Sequence, residues 1–139
     1  MDAAKIRRSL LEQHDRIRAH LSGCSVLAHR LLDGEPVQDD LDAALGQLRA
    51  DFVEHNLLEA AVVRPMLHDG AARGALLVDR MFEEHVAEHS AFWAALAGPT
   101  LDVAGRMDDL VDELDAHMAA EERTFLSPQV LHPGALTPR

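Results

Sequence analysis

The chain has 139 residues, 47% of them apolar and 27% charged, with a formal net charge of −11 at pH 7. That length suits one domain with a continuous core, and no apolar run approaches the roughly 18 residues a membrane span needs. The acidic balance argues against nucleic acid or an anionic membrane surface as partner.

The opening residues hold no signal-peptide hydrophobic region, and a lone cysteine, Cys24, cannot form an internal disulfide. A cytoplasmic protein is the expectation, with Cys24 an inert, partly buried thiol. Nine histidines and no tyrosine are the oddities of composition.

Glycine and proline punctuate the chain at Gly34-Glu35-Pro36, His68-Asp69-Gly70 and Gly98-Pro99-Thr100, and Pro128, Pro133 and Pro138 mark an extended tail over 128–139. The segments between are rich in Ala, Leu, Arg and Glu and poor in β-branched residues, with apolar residues recurring at steps of three and four. The first helix is predicted over 3–32. The second runs over 39–67, with Asp39 or Asp40 as N-cap and Gly70 beyond its C-terminus, and the third over 72–97. Short connections make neighbours antiparallel, so the fold class is all-α: one domain over 1–139, an up-down-up-down four-helix bundle over about 3–127.

The inward stripes are Leu10, Leu11, His14, Ile17 and Leu21 on the first helix and Leu48, Phe52, His55, Glu59, Val62 and Met66 on the second. The third carries Val78, Met81, Phe82, His85, His89, Phe92, Trp93 and Leu96, and the fourth Leu110, Leu114, His117, Glu121 and Phe125. Each stripe is broken near its middle by histidine or glutamate. At about 1.5 Å of rise per residue, His14 and His55 come level within ~3 Å, and the second turn matches less well, by about 6 Å. The third turn matches only if the fourth helix begins near Gly105 to Met107, which is the predicted start.

Seven polar side chains then converge on one layer of an apolar core: His14, His55, Glu59, His85, His89, His117 and Glu121. Unpaired, each costs on the order of 1–3 kcal/mol, comparable in sum to the stability of a domain this size. The pairs His55/Glu59, His85/His89 and His117/Glu121 stand at i and i+4, so each aims two donors at one point. A mixed imidazole and carboxylate set suits iron or manganese and also serves zinc or copper. A single buried histidine with a hydrogen-bonded partner is the commoner case, and His20, His29, His68 and His132 fit such bystander roles. The acidic pairs Glu83-Glu84 and Asp108-Asp109 read as solvated faces. No phosphate-binding glycine loop, His-Glu-x-x-His or Glu-x-x-His is present.

The lone His14, His55-Asn-Leu-Leu-Glu59, His85-Val-Ala-Glu-His89 and His117-Met-Ala-Ala-Glu121 in order on four helices resemble the hemerythrin-like (HHE cation-binding) family over about residues 5–128. The resemblance implies two non-haem irons with a bridging oxo or hydroxo group. Glu59 and Glu121 would bridge them, with His85, His89 and His117 on one iron and His14 and His55 on the other. These ligands fill all but one of the positions of two octahedral irons, and the open one falls on the iron of His14 and His55. Small diatomic ligands (O2, NO), peroxide or azide would bind there. Oxygen carriers of the family have Asp five residues after the fourth-helix histidine. Here Glu121 stands at four, as in bacterial members that sense oxygen, handle peroxide or NO, or serve iron-related repair, and Glu122 at five is a substitute bridge.

The leading reading is a di-iron protein that binds or reacts with O2, peroxide or NO, with catalase-like turnover as one form of activity. An apolar access path would be lined by Ile17, Leu58, Trp93 and Phe125, and without tyrosine Trp93 is the aromatic most open to oxidation. The alternatives are a metal- or redox-responsive interaction module without turnover and a mononuclear zinc or manganese site.

Overall fold

The computed structural model describes residues 2–63, 65, 75–124 and 126, and of residues 3, 63 and 75–82 the backbone alone. Among the described residues the regular structure is entirely helical: α1 (Ala3–Leu32), α2 (Gln38–Leu58) continued by a π-helical turn (Glu59–Val63), α3 (Ala75–Leu96) and α4 (Thr100–Arg123). Helix α1 packs against α2 and α4, and α3 packs against the same two, giving a four-helix bundle.

The Asp2 carboxylate accepts a hydrogen bond from the Lys5 amide (2.9 Å) and caps α1. The helix ends where Gly34 takes φ +91° and the Glu35 amide returns to the Arg30 carbonyl, a conformation that glycine adopts without strain. Helix α2 begins one residue before its predicted start. Its N-cap is Val37, which makes no side-chain cap, in place of Asp39 or Asp40. Burial of the Val37 side chain fixes the chain's entry, and the two aspartates fall in the first turn, where negative charge complements the helix dipole.

The predicted continuous α2 gives way at Glu59 to the π turn. The fourth helix starts at Thr100, ahead of the predicted Gly105 to Met107. Matching of depths assumed that consecutive helices end level. Three connecting residues can climb up to about 10 Å when extended, and Pro99 (φ −56°, ψ 140°) is extended. The extra turn is held by Val103 and Ala104, both buried, and by the Thr100 hydroxyl, which donates to Asp42 on α2.

The largest apolar cluster fills the half of the bundle nearest the α1 C-terminus. Ile17, Leu21, Cys24 and Ala28 of α1 meet Leu41, Leu45, Leu48 and Phe52 of α2 and Met107, Leu110 and Leu114 of α4. Cys24 is fully buried where partial burial was expected, and burial pushes its thiol up to about 11, which disfavours the reactive thiolate. Ile6, Leu10 and Leu126 are buried beyond His14. The polar layer thus lies between two apolar ones. Gly70, His68, His132, Met66, Phe125, the starting residues 72–74 expected for the third helix and the tail over 128–139 lie outside the described residues, as do the side chains of Val78, Met81 and Phe82.

Candidate metal centre

All seven predicted site residues are buried, none more than 9% exposed. Their inward atoms form two four-residue groups that could each hold a metal ion: His14, His55, Glu59 and Glu121, and His85, His89, His117 and Glu121, with donor atoms within 4.8 Å of one another in each. Glu121 belongs to both. Its Oε1 lies 2.8 Å from His117 Nε2 and 3.4 Å from His85 Nε2, while Oε2 lies 3.3 Å from His14 Nε2 and 3.4 Å from His55 Nε2. Glu59 does the same from α2: Oε1 is 2.8 Å from His55 Nε2, and Oε2 contacts His85 Nε2. Each carboxylate therefore turns one oxygen to each histidine group.

Local structure explains the convergence. Steps of four residues put His55 above Glu59, His85 above His89 and His117 above Glu121 on single helix faces. Glu59 opens the π turn, and such turns within helices occur frequently at functional sites.

The outward ring nitrogens settle the tautomers. His14 Nδ1 donates to Glu122 (2.7 Å), His55 Nδ1 to Gln13 Oε1 (2.9 Å), and His117 Nδ1 to Glu88. Arg18 holds Glu122 in place at 2.7 Å. These contacts leave the Nε2 lone pairs pointing inward, where His14 and His55 face each other at 3.2 Å and His89 and His117 at 3.0 Å. With neutral imidazoles the facing lone pairs repel, and the charge on the buried Glu59 and Glu121 carboxylates goes uncompensated. A cation between them removes both costs.

Without a metal, protons supply part of that positive charge. Burial opposes protonation of His55, yet the Glu121 and Glu59 carboxylates beside it outweigh burial and raise its pKa to about 9. The same contest, with Glu121 and Glu88, raises His117. Burial wins at His89, which is lowered. Burial pushes Glu121 up, but Glu59, His117, His14 and His55 around it hold it well below the usual carboxylate range.

A family model described as the hemerythrin HHE cation binding domain matches residues 5–127. The chain belongs to this family. Comparison with curated proteins and with solved structures gives no significant match. Five imidazole nitrogens and two carboxylates that each face both groups fit the cation binding for which the hemerythrin domain is named.

Against this hemerythrin frame, two expectations are corrected. Glu122 does not face the interior as a substitute bridge. It sits on the outer side of His14 between that ring and Arg18, because successive helical residues point about 100° apart. The single access path also divides: Ile17 is packed in the core, whereas Trp93 is 43% exposed and lines a groove between α2 and α3 that neither Ile17 nor Leu58 borders. The histidines read as bystanders behave so where described, with His20 pairing with Asp51 and His29 with exposed Asp108 at 2.9 Å. Gln13, Glu88 and Arg18 were not foreseen. The sequence pattern carried no signal for any of the three: Gln13 is buried, Arg18 half-buried and Glu88 exposed, and each gains its role from a neighbouring helix.

Proposed function

We propose that this chain binds two non-haem irons, with an oxo or hydroxo group completing the bridge, and that O2, peroxide or NO binds or reacts there. The observation that carries this reading is the pair of buried four-donor groups that meet at Glu121, with Glu59 reaching a histidine of each. His14, His55, Glu59 and Glu121 would hold one ion, and His85, His89, His117 and Glu121 the other. Iron held there would supply a redox-active Lewis acid for a small ligand.

The chain's own residues do the rest. Glu122, Gln13 and Glu88 lock three rings in the tautomer that presents Nε2 inward. Two buried carboxylates offset positive charge in a low-dielectric layer. Phe52 stands edge-on to His89 (5.1 Å between ring centres) and Phe92 to His117 (5.8 Å), packing against those rings. The reading includes a cytoplasmic location, where a lone thiol stays reduced.

The test is a metal count and absorption spectrum on purified protein, before and after anaerobic ferrous reconstitution. Two irons per chain with charge-transfer bands that shift on adding azide are expected. One zinc or manganese per chain without a visible spectrum would replace this reading with a mononuclear one, and no bound transition metal after reconstitution would end it. Oxygen evolved from added peroxide identifies turnover, and a stable spectral change without oxygen identifies binding alone.

A further inference from the structure

The metal centre has two approaches from the surface, and their chemistry differs. One is a cavity of about 200 Å³ between α3 and the last turns of α4, with Glu84, Glu88, Ala120 and Thr124 at its rim. Its inner wall is formed by His85, His117 and Glu121. The rim residues are exposed and the inner three buried, so the cavity leads from the surface to the donors of one histidine group.

The rim is negative in two independent ways. Glu84 and Glu88 stand four residues apart and so share one face of α3, and contact with His117 Nδ1 holds Glu88 in place. Across the cavity lies the C-terminal end of α4, where the last carbonyls of a helix gather partial negative charge. Surface acids are no sign of a cation by themselves. These two share a cavity with buried metal donors, in a chain of the HHE cation-binding family.

The other approach is the groove between α2 and α3, whose walls include the exposed apolar side chains of Val53, Leu57, Val86 and Trp93. His85 borders both openings. A hydrated divalent ion that moves between apolar walls gives up water ligands and gains nothing in their place. Carboxylate oxygens replace that water one ligand at a time, and a cleft lined by one sign of charge concentrates ions of the other.

We propose that divalent cations enter the centre through the opening between α3 and α4, with Glu84 and Glu88 as their first protein contacts, and not through the apolar groove. The proposal rests on the reading that the centre binds cations, and it requires neither iron nor two ions per chain.

The test follows Co2+ uptake by metal-free full-length protein in a stopped-flow spectrometer, through the visible absorption of the bound ion, at low and high salt. Glu84→Gln should slow uptake about threefold at low salt and match wild type at high salt, where the attraction is screened. Glu12→Gln, an equal loss of charge at an exposed position on α1, diagonally across the bundle from α3, should leave the rate unchanged. Ala120→Phe, which narrows the opening from its exposed rim, should slow both uptake and release to EDTA while the final cobalt content stays the same. Ser90→Phe, which narrows the apolar groove instead, should slow neither. The proposal is overturned if Glu84→Gln takes up cobalt as fast as Glu12→Gln at low salt, or if Ser90→Phe delays uptake more than Ala120→Phe. Cobalt bound at the wild-type rate by every variant rejects the route and leaves cation binding standing, whereas wild type that binds no cobalt overturns both.

Discussion

The two histidine groups share a carboxylate but differ in depth and support. His14 and His55 are 0% and 1% exposed, against 7% for His85 and His89 and 9% for His117. The outer partner of His55 is buried Gln13, and that of His14 is Glu122 pinned by Arg18. The outer partner of His117 is Glu88, 58% exposed, and His85 and His89 border an open groove. One group is sealed among α1, α2 and α4, and the other stands near the surface between α3 and its neighbours. A ligand arriving by the groove meets Glu59, His85 and His89 first. Glu59 and Glu121, which face both groups, thus join a deeply buried side to an accessible one.

The largest expected effect erases the distinction. Glu121→Ala removes the carboxylate common to both groups, so metal analysis should find bound metal lost from the whole centre. His55→Ala and Glu59→Ala should also lose metal. Retention of full metal content in Glu121→Ala would mean that the two groups are not one centre.

Outer partners should separate the sides. Gln13→Ala removes the buried acceptor that orients His55, and metal affinity should fall roughly 10- to 100-fold. Glu88→Ala, at an exposed position, should cost less, and competition with a chromophoric chelator measures both. Equal losses would remove the difference in support between the groups.

A pH series sharpens the account of the sealed side. In metal-free protein His55 has its pKa raised from 6.5 to about 9. Its contribution is fully present below about pH 6.5 and is lost as pH rises through about 9, on the order of 3 kcal/mol. Denaturation of metal-free wild type and His55→Gln should therefore differ most near pH 6 and converge above pH 9. Metal competes with the same proton, so affinity should rise over that range. The smallest effect is expected at His20→Ala: its ring pairs with Asp51 away from both groups, and metal content should not change.

Much of the site was legible because its information is local. Three of the four helices carry two ligand-type residues four apart, a spacing that by itself puts both on one face, and the break of each apolar stripe marks its depth. Gln13, Glu88 and Arg18 were not legible, since a glutamine beside a ligand or an acid on a solvated face acquires a role only when a neighbouring helix brings a ring nitrogen within reach. Glu122 was noticed for its place in the sequence, but its direction depended on how α4 is rotated against α1. The start of α4 was misjudged because matched heights treat a turn as having no length, whereas an extended Pro99 lets α4 begin above the end of α3.

By itself the sequence determined the helical class, the inward faces and the seven donors gathered in the core, because helix periodicity and the cost of burying unpaired polar groups act on the chain locally. Only the tertiary structure decided how those donors divide: Glu121 facing both groups while Glu122 turns out to Arg18, a π turn opening at Glu59, one histidine group sealed and the other beside a groove. Each depends on the rotation and offset of one helix against another, which side-chain packing across the bundle sets and no single helix encodes.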